Sequence, residues 1–431
     1  MQIQQAIKIL KKPILWYIFW MILFVIHLKY LSHYVVDVPM DDEWDGYFYM
    51  DGSFSSLFSI NYLFAPVGTH LVPWTKISIS INRMFWDLDF YLQKIINFFM
   101  YGGLIAFVAW VLKTKHLPNK YRFLIITLYL SAVNWWTLHR ADTNAYLFYN
   151  FFLIASIALL SRTGWKMFFL ACICVIFCLF SFASGVTASI LIALMYAVHL
   201  YFFRPVKGLE RLKPIILFII VILGTYFWIS TVPVQADPAP KAYPWNIDWW
   251  RHFIYLIGWI FGIYSFNIAL NIFCLFLAFA GLLLLTWKYF RDRSFDDWFF
   301  LTYSAAVILS LALISVGRAN LTSVQAKSER YVIFAMFFLP SLFYGYYSMV
   351  RIKIRSYVLI FLSIFTFIGY VEYFDYDAKY KPYGIRMRKG LACLKSDVFR
   401  ETGVCIDIYP WGLRGQMENA KKNHIHFTKS L

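Results

Sequence analysis

Apolar residues in this chain come in long, nearly unbroken stretches, not in the three-to-four spacing of a half-buried soluble helix. The stretches fall at 14–31, 95–112, 122–138, 146–160, 167–183, 186–203, 214–231, 267–287, 298–316, 331–350 and 356–374. A helix needs about 20 mainly apolar residues to cross a bilayer. The pattern therefore predicts an all-α polytopic membrane protein with about 11 transmembrane helices and its two ends on opposite sides. The run 253–264 is too short to cross twice with its neighbour and reads as re-entrant or interfacial. No small-residue cleavage site follows the first stretch, so it reads as a retained helix and not as a removed signal peptide.

Composition agrees with this reading, since hydrophobic residues make up 61% and charged residues 15% of the chain. The formal net charge of +17 is a topology signal. With the N-terminus placed inside, the short inner segments hold 19 Lys and Arg against four acids, Glu210, Asp292, Asp296 and Asp297. Basic residues in short loops stay cytoplasmic. The reading is a multi-pass membrane protein with a cytoplasmic N-terminus and an extracytoplasmic C-terminus. Nucleic-acid binding is a poor explanation for the charge, and neither G-x-x-x-x-G-K-[ST] nor G-x-G-x-x-G occurs. Cys172, Cys174, Cys178 and Cys274 sit within apolar stretches, where thiols behave as small hydrophobes. Cys393 and Cys405 fall in the polar tail, where an oxidising compartment allows them to pair. Two regions follow: a transmembrane part, 1–374, with a long external loop at 32–94, and an external tail, 375–431.

Candidate chemistry collects on the face that cations otherwise avoid. Asp41-Asp42-Glu43-Trp44-Asp45 places four acids in five residues. Such a knot raises a carboxyl pKa or demands a cation, and suits a general base or a metal ligand; a solvated charge run is the plain alternative. Residues 54–66 and 74–92 read as interfacial helices flanking His70. His139-Arg140-Ala141-Asp142 fits a buried ion pair as well as a site. Arg318, Lys327 and Arg330, with Tyr331, form a cationic group suited to phosphate, against a plain reading as cations snorkelling at span ends.

These features together resemble the GT-C integral-membrane glycosyltransferases: a first helix leading into a long external loop, Asp42-Glu43 just after it, and chemistry confined to one side. Closer matches to an uncharacterised bacterial subgroup are Thr69-His70-Leu71-Val72-Pro73, Gly317-Arg318 through Ser328-Glu329-Arg330-Tyr331, and Cys393 with Cys405-Ile406-Asp407-Ile408-Tyr409-Pro410. Thr69 and Leu71 stand where that subgroup has Glu and Arg, and Glu329 interrupts the last motif. The resemblance implies a GT-C-like fold and transfer of a sugar from a polyprenyl-phosphate-linked donor to an extracytoplasmic glycan or lipid acceptor, with inversion. Asp42 would be the base, with Asp41, Glu43 and Asp45 as rivals. Arg318, Lys327 and Arg330 would hold the lipid phosphate, and His70 and Arg140 would position substrate. It requires no cofactor and assigns no metal ligand, while admitting a divalent cation between the acids. The alternatives are a polysaccharide polymerase or ligase using diphosphate-linked oligosaccharides and a non-enzymatic lipid or solute transporter. An acyltransferase built on His139 and Asp142 is a weaker third.

Overall fold

The computed structural model describes residues 13–46, 52–67, 70–232, 241–321, 323–349 and 352–431. Among them, eight helices are long and apolar enough to cross a membrane: Ile14–Tyr34, Phe90–Thr114, Ala183–Phe203, Gly208–Thr231, Ile268–Asp292, Phe295–Arg318, Glu329–Ser348 and Ile354–Phe374. Two shorter apolar helices, Asn144–Leu160 and Trp165–Leu179, match two more of the expected stretches. The chain is thus a predominantly helical, multi-pass membrane protein.

The stretch 122–138 departs from expectation. It folds as a helix over Asn119–Tyr129, a 3-10 turn over Ala132–Asn134 and a one-turn helix over Trp135–Leu138. The first piece has 11 residues and rises only about 16 Å, roughly half the hydrocarbon thickness. Unwound backbone at such depth survives only when protein groups satisfy it. Here Tyr101 donates its hydroxyl to the Tyr129 carbonyl at 2.5 Å, and Tyr376 donates to the Leu130 carbonyl at 2.9 Å. A second break, over Met336–Phe338, has a covalent cause. Pro340 has no N–H to give the Met336 carbonyl four residues back, and the Tyr129 hydroxyl supplies the missing donor at 3.1 Å.

The loop predicted to hold interfacial helices is helical but more finely divided. Phe54–Leu57 and Ile60–Leu63 are single turns, each started by a serine: Ser53 Oγ accepts from Ser56 N, and Ser59 Oγ from Tyr62 N. Pro73–Trp86 follows, with its proline in the first turn. Asp87 and Leu88, at φ 53° and 59°, end that helix before residue 92, and the Asp89 carboxylate caps Phe90–Thr114.

The two ends of the bundle differ in chemistry. At one end Lys115 bonds both Ser161 and Asp296 at 2.8 Å, gathering three of the basic connections. At the other, Asp37 accepts from Phe90 N at 2.8 Å and Asn97 donates to the Arg140 carbonyl at 3.0 Å, beside the acid knot.

The tail does not stand apart from the bundle. Its helix Tyr376–Lys395 lies along the first helix, and a Cβ at Gly384 would come within 2.8 Å of the Tyr34 carbonyl, so glycine is needed there. Cys393 and Cys405 are disulfide-bonded, fastening this helix to the hairpin Val404–Cys405 and Tyr409–Gly412. Cys172, Cys178 and Cys274 are free and buried, and Cys174 is free and half-buried. Further on, Lys429 meets Asp87 at 2.8 Å and His426 Nδ1 meets Asp37 at 2.6 Å.

Candidate active site

The acid knot leaves the first helix as a tight turn. Asp41 sits at φ 50°, a left-handed conformation that aspartate tolerates better than most residues with a Cβ. Its N–H donates to the Ile408 carbonyl at 2.8 Å, so the tail hairpin helps to fix the turn. Glu43 fixes it from below. One carboxylate oxygen accepts from Met40 N at 2.7 Å and the other from Ala141 N, tying the knot to the 139–144 loop. Burial pushes the Glu43 carboxyl up to about 7, and the neighbouring Lys94 and Arg140 charges oppose that rise. Glu43 is therefore enclosed and already bonded to two amides. It does not line the cavity that Asp41 and Asp42 line. Asp45 lies in the short helix Glu43–Gly46, but its side chain is outside the described residues.

Two guanidinium groups neutralise the knot. Arg140, whose side chain is only 4% exposed, forms a bidentate pair with Asp142 at 2.9 and 2.8 Å. It also stands 3.6 Å from both Asp41 and Asp42. Burial works against its charge, yet Asp142 and Glu43 keep Arg140 protonated well above its ordinary value. Arg386 from the tail helix reaches Asp41 at 2.9 Å. Among the described acids of the knot Asp42 is the least engaged: its side chain is 77% exposed and stands 3.6 Å from Arg140. The pair expected at Arg140 and Asp142 is thus structural, and its arginine also lines the polar cavity.

Two cavities meet here. A polar one of about 270 Å³ is lined by Asp41, Asp42, Trp136, Arg140, Arg330, Tyr409 and Trp411. A larger, mainly apolar groove of about 470 Å³ is lined by Tyr146, Phe182, Trp228, Ile229 and Ile314, and carries His70, Lys241, Arg318, Arg330 and Tyr331. The His70 ring stacks on Phe182 with centroids 4.2 Å apart. Arg330 borders both cavities. Its guanidinium lies 5.9 Å over Trp136 and 4.9 Å over Tyr331, and one Nη donates to Gln325 at 2.5 Å. The buried Arg330 Nε meets no acceptor among the described residues, so it has a donor to offer a ligand oxygen.

Other expected residues go elsewhere. Lys327 is buried, and its ammonium donates to the Tyr255 carbonyl at 2.9 Å, the Ile263 carbonyl at 2.7 Å and Asn271 at 2.9 Å. Three bonds use all three donors, leaving none for a phosphate, and burial lowers the Lys327 pKa to about 7. Lys327→Met is expected to lower the unfolding free energy by about 1–3 kcal/mol, the cost of stranding buried acceptors, without changing the KM for a lipid-linked donor. Chemical denaturation and donor titration of the same variant check both halves. His139 is buried, with its pKa pushed down to about 3 by burial. Its Nδ1 pairs with the Trp135 carbonyl at 2.8 Å while Asp142 is held by Arg140, so the two form no relay.

One grouping able to hold a metal ion occurs among the described residues, Asp37, Asp89 and His426, with ligand atoms within 4.8 Å of one another. Asp37 there is bonded to both His426 and Phe90 N, which makes the group a clasp for the chain end. A cavity of about 610 Å³ between the helices of Ile14–Tyr34, Phe90–Thr114 and Asn119–Tyr129 is mainly apolar and lined by no carboxylate. Tyr409, Trp411, Lys241 and Arg386 were not foreseen as site residues. No spacing links them to the acid knot, and aromatic residues near a membrane are common for other reasons.

No family model matches the chain, and no curated protein matches it. Among solved structures it is similar to the Archaeoglobus fulgidus oligosaccharyltransferase in complex with zinc and sulfate, at 11% identity and a TM-score of 0.44. That superposition covers 88% of this chain and 56% of the other. At that TM-score the likeness is too loose to establish a shared fold, and the site stands on its own geometry.

Proposed function

We propose that the chain is a GT-C type membrane glycosyltransferase that moves a sugar from a polyprenyl-phosphate donor to an extracytoplasmic glycan or lipid acceptor by one inverting displacement. The observation that carries this reading is the position of Arg330, on the wall between an apolar groove bearing cations and a small cavity bearing carboxylates. A polyprenyl chain suits the groove, its phosphate suits Arg318, Arg330 and Lys241, and the sugar then points toward Asp41 and Asp42. His70 and Tyr331 border the phosphate position.

In the displacement, Asp42 takes the proton from an acceptor hydroxyl, and that oxygen attacks the anomeric carbon. The bond from that carbon to the phosphate oxygen breaks on the opposite face, leaving polyprenyl phosphate. Charge grows on the departing phosphate, so cations already in place lower the barrier most at that stage. Asp41 is held by Arg386 and Arg140 and so helps to shape the base. The same cations would also suit a diphosphate carrier, which keeps the polymerase or ligase reading as the second one.

The test is release of free polyprenyl phosphate from a panel of polyprenyl-phosphate sugars by the purified protein in lipid. Arg318→Ala and Arg330→Ala are each expected to raise the donor KM at least tenfold, in line with loss of a charge-assisted phosphate contact. Turnover confined to diphosphate-linked oligosaccharides would transfer the chain to the polymerase class. Movement of lipid without covalent change would make it a transporter.

A further inference from the structure

We infer that the C-terminal hairpin is the acceptor-binding wall of the small cavity, where Trp411 and Tyr409 receive a pyranose ring of the acceptor. This rests on the reading above and adds the part that it leaves open, the place and chemical class of the second substrate.

Register and connectivity position the two rings. In the hairpin Cys405 pairs with Tyr409 and Val404 with Gly412. The ladder shifts register between Val404 and Cys405, so Trp411 lies where regular pairing is interrupted, and both Tyr409 and Trp411 line the cavity. Three attachments hold that strand in place. The disulfide joins the register partner of Tyr409 to the helix Tyr376–Lys395. The Ile408 carbonyl accepts from Asp41 N at 2.8 Å. Gly390 lets Ile408 pack where a Cβ would lie 2.0 Å from its Cγ2. The hairpin is therefore fixed directly to the residue next to the base.

The chemistry is that of a sugar site. A pyranose has an apolar C–H face and a rim of hydroxyls, and Trp and Tyr offer a flat apolar surface with a polar edge. Opposite them Asp41, Asp42 and Arg140 supply acceptors and a donor for the hydroxyl rim. The volume of about 270 Å³ lies just below the usual range of small-molecule pockets and suits one ring, not a lipid chain. Trp411 is 69% exposed, a large apolar surface left open at the cavity mouth.

The test measures binding and turnover separately on the full-length protein in lipid nanodiscs. Methyl glycosides of glucose, galactose, mannose and N-acetylglucosamine are the probes, followed by saturation-transfer NMR and tryptophan fluorescence. Wild type is expected to bind at least one of them. Trp411→Ala should weaken that binding about tenfold, the scale of one lost aromatic contact, and raise the acceptor KM similarly while the donor KM stays within twofold. Replacing both Cys393 and Cys405 by serine should weaken glycoside binding in the same direction, since it frees the hairpin without touching either ring. Unchanged glycoside affinity in Trp411→Ala, or no glycoside binding by a wild type that still releases polyprenyl phosphate, overturns the inference and leaves the donor reading intact. Glycoside binding lost in Trp411→Ala by a protein that turns over no donor upholds the sugar site and overturns the donor reading.

Discussion

Asp42→Asn is expected to lower transfer by roughly 10²- to 10⁴-fold, the usual worth of a general base, and to leave the unfolding midpoint within error of wild type. The two halves of that expectation come from one observation. Asp42 lines the cavity, yet its side chain is mostly exposed and its contact to Arg140 is long. Removing its charge therefore strands no buried partner, because Arg140 keeps its bidentate bond to Asp142. Asparagine keeps the shape but is too weak a base to take a hydroxyl proton. Asp41→Asn is a different experiment, since it also loosens Arg386 and the turn itself. Near-normal turnover by Asp42→Asn, measured as polyprenyl-phosphate release, would pass the base role to Asp41.

Arg140→Leu is expected to be the most destabilising single change at the site, by about 3–5 kcal/mol, the range for removing one partner of a buried ion pair. Its guanidinium is almost fully enclosed and serves Asp142, Asp41 and Asp42 together. Without it the Asp142 and Glu43 carboxylates face each other in a poorly solvated pocket, where Glu43 is already bonded to the Ala141 amide. The loss should shrink as pH falls, because burial raises the Glu43 carboxyl to about 7 and its protonation removes the repulsion that Arg140 normally offsets. Arg140→Lys should recover only part of it, since an ammonium cannot form the two-point bond to Asp142. Denaturant unfolding in detergent at pH 5 and pH 8 measures both effects. A variant as stable as wild type at pH 8 would mean that the loop is held without this ion network.

Much of the architecture was legible in the sequence. Ten of the expected apolar stretches form helices, because a long run without charges has few satisfactory conformations in a bilayer: its backbone must bond to itself. The stretch 122–138 was misread because hydropathy averages over residues and cannot see where backbone bonding stops. Ser131, Asn134 and Thr137 lie inside it and are buried, and the tyrosines that satisfy its unwound carbonyls come from elsewhere in the chain. Lys327 was misread for a related reason. Its neighbours in sequence, Arg318 and Arg330, line the groove, while its own partners lie 56 to 72 residues away.

Legible in the residues alone were the helical membrane architecture, the acid knot, the nearness of Arg318 to Arg330 and the pairing of Cys393 with Cys405. Each of these depends on residues near one another along the chain or on composition averaged over a span. Tertiary packing alone sets which of Asp41, Asp42 and Glu43 is exposed, which arginine borders both cavities and which aromatic rings line the polar one. Arg386 reaches Asp41 from 345 residues away. Contacts of that kind are set by how helices pack, through burial and geometry that no local spacing encodes.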